Sequence, residues 1–435
     1  MSHPTHDTPP NRGALDPHPP RTLARSTRPS PYALSHLSIA GTWREGRSQT
    51  LAPDFNPYNN ELLSTISLAN PQEVDAAHKN TGSPPSRRPT RTRSEDHPVA
   101  IEISKVQRTR ALATSSLPTM MRAAAIDQFG APDALKLRSL PVPKPGPHEL
   151  LIELRAAGVG IWDAEMRRGN YSQGDEKFPL VLGTDGAGVV VSAGADVPTQ
   201  KRGWLEVWAY EFGNPKGGFY AEYVAVHSDH VGRLPKSLSM LEAGASVATA
   251  LTAQQGIDDH IQLASRETIL IFGATGAVGT LAVQFAKRHG AYVIATASSA
   301  GGKQTARELG AMHVLDARMP NLAERLRAFA PEGLNAILAL AGGDALEQCA
   351  KHLLEGGRLA YPNGVTPVPR KRSNVRLIAY DAEASPQNFE RLNRAVAEAH
   401  LKVVTAKTYT LDDAAQAHAR LEQGQIIGRI ALQVR

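Results

Sequence analysis

The chain has 435 residues, 41% of them hydrophobic and 21% charged, which is enough for two to four globular domains. Its single cysteine, Cys349, excludes an internal disulfide and a cysteine-based zinc cluster. The formal net charge is +6, and residues 1–120 carry most of it, so nucleic acid is not an expected partner. No apolar run reaches the roughly 20 residues of a membrane span, and we expect no secretory signal because the first residues contain no apolar stretch. We therefore expect a cytoplasmic protein without a membrane partner.

The first 120 residues are predicted to be an N-terminal extension that is mostly disordered. Residues 1–31 are rich in Pro, His, Arg, Ser and Thr, and they bury too little apolar surface to offset chain entropy. Two short strands are predicted at residues 37–39 and 62–66, followed by a short helix with Asn70 as its N-cap. After Gly82 the chain becomes polar and rich in Arg and Pro, as in a linker.

From Met121 to about residue 245 the pattern indicates strands joined by turns. The start reads as strand, turn, strand, a Pro-rich turn and a further strand. Residues 150–154 alternate in a way that is typical of a half-buried strand.

From about residue 241 predicted strands alternate with predicted helices, which indicates a parallel sheet covered on both faces. The predicted strands are residues 267–272, 292–297, 313–315, 336–340 and 357–361. The predicted helices are residues 278–289, 302–309, 321–329 and 345–354.

The sequence ILIFGATGAVGTLAVQF is the most informative motif. Three glycines, Gly273, Gly276 and Gly279, lie between a predicted strand and a predicted helix. In such a loop the first glycine permits a tight turn, the second lets the backbone approach a pyrophosphate, and the third lets the helix pack on the strand. Amide groups at the helix start then bind the phosphates. The cofactor-binding residues predicted here are Gly273, Ala274, Thr275, Gly276, Ala277, Val278 and Gly279.

The end of the next strand indicates which nicotinamide cofactor is bound. An acidic residue there would bind the ribose 2′-hydroxyl of NAD. This chain has Ser298, Ser299 and Lys303 instead, which can donate to a 2′-phosphate, and no acid at that position opposes it. We therefore predict NADPH, although Lys303 could also be a solvated residue at a helix start.

Residues 121–435 resemble the medium-chain dehydrogenase/reductase superfamily, in its zinc-free quinone oxidoreductase branch. The resemblance is carried by FGAPDAL, VPKPGPHELLIEL, FPLVLGTDGAGVV, FGATGAVG and the closing YTLDDAAQAHARLEQGQIIGRIALQV. It implies an α/β fold with a GroES-like catalytic domain at residues 121–245 and a doubly wound Rossmann domain at residues 246–380. Residues 381–435 would return to the catalytic domain, with the cleft between the two domains. The resemblance also implies a homodimer.

The zinc ligands of related enzymes are absent from this sequence. Zinc-dependent members have a cysteine near the position of Trp162, and Gly-His-Glu where this chain has Gly183, Thr184 and Asp185. We therefore expect no metal, and we expect hydride transfer to an acceptor that is already electrophilic, a quinone or an α,β-unsaturated carbonyl. A further difference is Gly160, where many members have an asparagine.

Residues of the cleft also follow from the resemblance. Tyr171 is expected to orient or protonate the acceptor, or only to pack the pocket wall. Thr252 is expected beside the nicotinamide, or as a hydroxyl bonded within its own helix. Ala341, Gly342 and Asn363 follow later strands and should flank the cofactor. Asp163 is expected to cap the following helix.

Three other functions remain open at this point. One is an enoyl or alkenal reductase with a defined substrate in a pathway. Another is a non-catalytic sensor that binds NADPH, because fold does not determine function. The last is an aldehyde dehydrogenase, because residues 37–82 resemble the N-terminal fragment of that family at Gly41, Trp43, Asn56-Pro57 and residues 73–77. No later segment of the chain supplies that family's catalytic cysteine region.

Overall fold

A computed structural model describes residues 37–39, 42–44, 51–55 and 62–67, and residues 117–435 apart from 173 and 175. The chain divides into two compact units, Met1–Leu112 and Ala113–Arg435. In the first unit the described strands are β1 (Leu37–Ile39), β2 (Thr42–Arg44), β3 (Leu51–Phe55) and β4 (Leu62–Ser67). They form two antiparallel pairs, which confirms both predicted strands. The predicted disorder of residues 1–31 and the helix after Asn70 lie outside the described residues.

The second unit contains one antiparallel sheet, one sheet that is mostly antiparallel and one parallel sheet. Its described strands are β5 (Met120–Ile126), β6 (Lys136–Pro141), β7 (Glu149–Val159), β8 (Leu180–Val181), β9 (Asp185–Ala193), β10 (Glu206–Tyr210), β11 (Tyr223–His227), β12 (Val231–Arg233), β13 (Thr268–Phe272), β14 (Tyr292–Thr296), β15 (His313–Leu315), β16 (Leu334–Ala339), β17 (Leu353–Pro362), β18 (Val375–Tyr380), β19 (Thr405–Thr410) and β20 (Arg429–Gln433).

The described helices are α1 (Ile161–Arg168), α2 (Thr199–Arg202), α3 (Met240–Gly244), α4 (Val247–Gln255), α5 (Ala277–Arg288), α6 (Ala300–Leu309), α7 (Leu322–Phe329), α8 (Asp344–Ala350), α9 (Pro386–Ala399) and α10 (Ala414–Glu422). Short 3-10 turns lie at Pro132–Ala134, Ser228–His230 and Leu411–Asp413, and a π-helical turn lies at Gly256–Ile261. No helix in the described part of the chain is both long and apolar enough to cross a membrane.

The β-rich part is organised around β7. This strand pairs with β9, β11 and β20 in a seven-stranded sheet, and β6, β5 and β8 form a second sheet. Leu150, Leu151 and Ile152 are all buried, so the predicted alternation of a half-buried strand at residues 150–154 is wrong. The reason is the position of β7, whose neighbours and packed core cover both of its faces.

The parallel sheet has the strand order β15-β14-β13-β16-β17-β18. Alternate residues of β13 enter two different cores, Ile269 and Ile271 on one face and Leu270 and Phe272 on the other. The sheet is therefore buried on both faces, as predicted. One boundary is wrong, because the helix predicted at residues 345–354 ends at Ala350. Leu353 already pairs with Leu334 in the sheet, and this pairing overrides the local helical pattern.

The C-terminal segment completes the antiparallel sheet. Residues Ile430 to Gln433 of β20 pair with Val159 to Ala156 of β7, and β19 pairs parallel to β20. The predicted α/β fold, with a β-rich part and a doubly wound parallel sheet, is confirmed in the second unit.

Candidate active site

The carboxyl ends of the six parallel strands bring most of the predicted site residues to one edge of the sheet. Gly273 follows β13, Ser298 follows β14, Ala341 follows β16 and Asn363 follows β17. β13 leads to β14 on one side, and β16 lies on its other side, so the order of the strands reverses between β13 and β16. In open α/β sheets a ligand binds in the crevice at such a reversal.

The glycine loop has the geometry that a bound dinucleotide requires. Gly273 has a φ of +89°, a left-handed conformation that side chains rarely adopt. A Cβ on Gly279 would lie 2.3 Å from the Gly273 carbonyl oxygen, so only glycine allows this packing of α5. A Cβ on Gly276 would meet only that same oxygen, at 3.7 Å. The space above Gly276 is therefore open, next to the amide groups of the first turn of α5, which have no acceptor within the helix.

Hydrogen bonds from two other segments hold this loop. The Gly273 N–H donates to the hydroxyl of Thr296 at 2.8 Å. The Gly428 N–H donates to the carbonyl of Thr275 at 2.8 Å. Since Gly428 precedes β20, the loop is tied directly to the strand that joins the antiparallel sheet.

The end of β14 faces a group of charged residues. The Ser299 hydroxyl accepts from the Gly302 N–H at 3.1 Å and caps α6. Lys303 pairs with Asp316 at 3.3 Å, and Arg318 pairs with the same carboxylate at 3.1 Å and donates to the Ser298 carbonyl. These bonds, above all those from Arg318, hold the pKa of Asp316 well below its usual range.

This arrangement changes the expectation that no acid lies at the 2′-phosphate position, and it adds Arg318 to the candidate site. An acid, Asp316, does lie near the predicted 2′-phosphate position, but two cations neutralise it. Arg318 was not identified from the sequence. The only signal for it was its position just after β15, since strand ends on one edge of a parallel sheet lie side by side.

Three further predicted site residues are Gly342, which follows β16, Asn363, which follows β17, and Thr252, which lies in α4. A Cβ on Gly342 would lie 2.0 Å from the Pro367 carbonyl, so a loop backbone packs directly on this turn. The Asn363 amide donates to Asp381 at 2.8 Å. The Thr252 hydroxyl, in α4, donates to the Ala248 carbonyl at 2.8 Å, which is the bond within the helix that the sequence left open as an alternative.

Tyr171 lies in an exposed aromatic pair. Its ring meets that of Phe212 edge to face, with centroids 5.4 Å apart, and both side chains are close to half exposed. Burial, together with the carboxylates of Glu165 and Asp381, raises the pKa of Tyr171. The hydroxyl therefore stays protonated at neutral pH.

The indole of Trp162 packs at the start of α1. The indole N–H of Trp162 donates to the Thr184 hydroxyl at 2.5 Å. A Cβ on Gly160 would lie 2.4 Å from the indole ring, so the ring occupies the space of a side chain there. Asp163 accepts from the Gly160 N–H at 2.7 Å and caps the helix, as expected.

A buried ion pair lies beside Trp162. Arg429 donates to Asp185 at 2.6 Å, and both side chains are almost fully buried. The Arg429 guanidinium carbon lies 5.0 Å from the centre of the Trp162 ring. The other Asp185 oxygen accepts from the Ala248 N–H at 3.1 Å, so both oxygens of this carboxylate are bonded.

A directed chain of hydrogen bonds leads from α10 to Asp163. Burial lowers the pKa of His418 to about 3, so its ring is neutral and its Nδ1 accepts from Arg167 at 2.9 Å. Its Nε2–H then donates to the Tyr220 hydroxyl at 3.2 Å, and that hydroxyl donates to Asp163 at 3.1 Å. Burial and the nearby Asp185 raise the pKa of Asp163 to about 7.

The donors near Trp162 do not suit a zinc ion. An indole has no lone pair for a metal, the Thr184 hydroxyl is bonded to that indole, and Asp185 is bonded to Arg429. Among the described residues, no group of three or more His, Cys, Asp or Glu side chains could hold a metal ion.

The β-rich part and the parallel sheet with its glycine loop together define an oxidoreductase of the dinucleotide-binding class. A model of the alcohol dehydrogenase GroES-like domain matches residues 146–236, and one described as zinc-binding dehydrogenase matches residues 309–432. The chain belongs to the medium-chain dehydrogenase/reductase superfamily and, within it, is a quinone oxidoreductase-like protein.

Individual relatives span almost all of the second unit. The quinone oxidoreductase of Homo sapiens is 30% identical over 318 residues, 70% of this chain and 95% of that protein. The 2-methylene-furan-3-one reductase of Solanum lycopersicum is 30% identical over 325 residues, 73% of this chain and 80% of that protein. A mycobacterial protein solved in complex with NADPH matches with a TM-score of 0.64 and 25% identity, over 72% of this chain and 100% of that one.

Proposed function

We propose that this protein transfers hydride from NADPH to a quinone or an α,β-unsaturated carbonyl, without zinc. The observation that carries the proposal is the glycine loop, where the space above Gly276 is open beside the first turn of α5, at the reversal point of the sheet. Relatives named as a quinone oxidoreductase and as a reductase of an enone support the class of acceptor.

The cofactor would lie along the carboxyl ends of the strands. Residues 273–279 would hold the pyrophosphate through backbone amides, and Ser298, Ser299, Lys303 and Arg318 would hold the 2′-phosphate. Thr252, Ala341, Gly342 and Asn363 would flank the nicotinamide half. When bound, NADPH supplies the hydride.

Tyr171 would position the acceptor and supply a proton. Its hydroxyl remains protonated at neutral pH, and its half-exposed ring stands edge to face with that of Phe212. Reduction of a quinone takes one hydride and one proton and gives a hydroquinone and NADP⁺. Reduction of an enone places the hydride on the β-carbon and the proton on the α-carbon.

The chemistry of the available donors supports zinc independence. Trp162 lies near one position, and Thr184 lies at another, where zinc-dependent relatives carry ligands, and these two side chains bond to each other. Without a Lewis acid, a simple aldehyde should be a poor acceptor compared with a quinone or an enone.

The test is NADPH and NADH oxidation by the purified full chain with a benzoquinone, a naphthoquinone, an alkenal and a simple aldehyde. We expect oxidation of NADPH with quinones or the alkenal, much less with NADH or the aldehyde, and no effect of a chelator. Binding of NADPH without oxidation in the presence of any acceptor would overturn the proposal in favour of a sensor.

We further propose a cytoplasmic homodimer. Among the described strands, β18 is an edge of the parallel sheet and pairs with β17 alone, so one side of its backbone can pair with another chain. Light scattering of the purified protein should give twice the mass of 46.6 kDa. A monomer at micromolar concentration would contradict this part of the proposal.

A further inference from the structure

The carboxyl ends of the parallel strands form the edge of the sheet that carries the candidate site, and the two ends of this edge differ in charge. The strands β15 and β18 form the opposite edges of the parallel sheet, five strand spacings or about 24 Å apart. At the β15 end, Lys303 and Arg318 share the single carboxylate of Asp316, which leaves a positive excess. At the β18 end, the first residue after the strand is Asp381.

The carboxylate of Asp381 is not neutralised. Its Oδ2 accepts from the Asn363 amide at 2.8 Å, and within the described part of the chain it forms no ion pair. The residue is exposed, so its charge acts on whatever enters the cleft beside it.

The carboxylate of Asp381 also acts on two tyrosines near the proposed acceptor position. Burial is the main cause that raises the pKa values of Tyr171 and Tyr210. Glu165 and then Asp381 add to the effect on Tyr171, and Asp185 and then Asp381 add to the effect on Tyr210. Phe212, which packs on Tyr171, lies two residues after Tyr210, so these side chains border one region.

The charges of α1 and α10 balance each other. Arg167 and Arg168 pair with Glu422 and Glu165, and Arg429 is buried on Asp185. Among these described groups, Asp381 is the carboxylate without an ion-pair partner. The net negative charge at this end of the sheet therefore comes from Asp381.

We propose that this end of the cleft selects uncharged or cationic planar acceptors and discriminates against anionic ones, with Asp381 as the specificity-determining residue. The inference rests on the proposed function, because it concerns the acceptor of the same reaction. The exposed faces of Tyr171 and Phe212 favour a flat, conjugated ring, and the unpaired carboxylate repels an acceptor that carries a sulfonate or carboxylate.

The experiment compares menadione, which is uncharged, with a naphthoquinone sulfonate, using the full chain and saturating NADPH. The measured quantity is the ratio of their kcat/KM values in the wild type and in Asp381→Asn. The asparagine can still accept from Asn363, so the local bond is kept. Because the ratio is compared between two proteins, the different intrinsic reactivities of the quinones cancel. Asp196→Asn is the matched control, an exposed carboxylate paired with His148.

We expect Asp381→Asn to lower the preference for menadione about fivefold, the size expected for loss of one partly screened charge. The change should lie in KM for the sulfonate and should shrink at high salt, while Asp196→Asn keeps the wild-type ratio. An unchanged ratio in Asp381→Asn, or a change that appears only in the affinity for NADPH, would overturn the inference. Absence of NADPH oxidation with either quinone would instead contradict the proposed function.

Discussion

The indole of Trp162 donates a hydrogen bond to the hydroxyl of Thr184 at 2.5 Å. In zinc-dependent relatives, residues at or near these two positions bind the metal. Here the two side chains bind each other, and the Arg429 guanidinium lies 5.0 Å from the centre of the indole ring. The same indole ring occupies the space that a side chain at position 160 would need.

Gly160→Ala should destabilise the protein. The added Cβ would lie 2.4 Å from the Trp162 ring, and such overpacking typically costs about 1–3 kcal/mol. The midpoint of thermal unfolding should fall, and the pair Gly160→Ala with Trp162→Leu should recover part of the loss.

The control for this prediction is Gly203→Ala. Gly203 has a φ of −92°, and a Cβ there would meet nothing within 4 Å, so its effect should be small. Equal losses in the two single variants would show that the contact with Trp162 is not what requires glycine at position 160.

Gly276→Ala and Gly279→Ala should have different effects. A Cβ on Gly279 would lie 2.3 Å from a carbonyl oxygen, so this variant should unfold at a lower temperature. A Cβ on Gly276 has room in the protein alone but would project into the pyrophosphate position. Gly276→Ala should therefore keep the unfolding temperature and lose at least about tenfold in NADPH affinity, measured by fluorescence titration. Normal NADPH affinity in Gly276→Ala would argue against binding at this loop.

Arg318→Gln should reduce the preference for NADPH over NADH. Arg318 contacts Asp316 and the Ser298 carbonyl, where the 2′-phosphate is expected, and the loss of one charge-assisted contact typically costs about 1.5–3 kcal/mol. The Kd for NADPH should rise about tenfold or more, with little change for NADH. Arg138→Gln is the control, since Arg138 is also exposed and pairs with Asp127. An equal effect on both cofactors would contradict the assignment.

Tyr171→Phe should lower kcat about 10- to 100-fold, because it removes the proposed proton donor but keeps the ring that packs on Phe212. The Kd for NADPH should stay the same. Tyr292→Phe, at a similarly exposed tyrosine, is the control. A kcat equal to that of the wild type would leave Tyr171 only as part of the pocket wall.

Asp163 should make stability depend on pH. Its pKa in the folded protein is about 7, well above that of a carboxyl in an unfolded chain. Between about pH 4 and pH 7 the folded state retains a proton that the unfolded state releases, so rising pH lowers stability in this range.

Asp163→Asn should abolish this dependence. Both hydrogen bonds to Asp163 end on Oδ2, so the single carbonyl oxygen of asparagine can accept both. As the pH rises from 4 to 8, the wild type loses stability and the variant does not. The difference in free energy of unfolding between the two proteins should therefore shift in favour of the variant by about a few kcal/mol. A difference that is constant across this range would contradict the raised pKa.

Much of the fold could be predicted because local and long-range signals agree. The sequence predicts the strand before Gly273 and the helix after that glycine loop within one residue, since a buried parallel strand and its crossover helix have distinct patterns. The helix boundary near Leu353 could not be predicted in this way. There the pairing with Leu334 decides, and it joins residues that are far apart in sequence.

The site was less accessible to sequence reasoning. The glycine loop has a local signature, but Arg318 and Asp381 reach the site only through the order of the strands, which the sequence does not display. The bond between Trp162 and Thr184 also depends on packing between distant segments. A hydroxyl such as that of Thr252 can bond within its own helix or to a ligand, and sequence alone does not distinguish the two.

The central claim is direct hydride transfer from the cofactor without a metal. The most direct test uses NADPH deuterated at C4, an enone acceptor, and full-length protein whose zinc content has been measured as negligible. We predict deuterium on the β-carbon of the reduced product, at a rate that added chelator does not change. Product without deuterium when each face of C4 is labelled in turn, or activity that appears only when zinc is restored, would contradict the account.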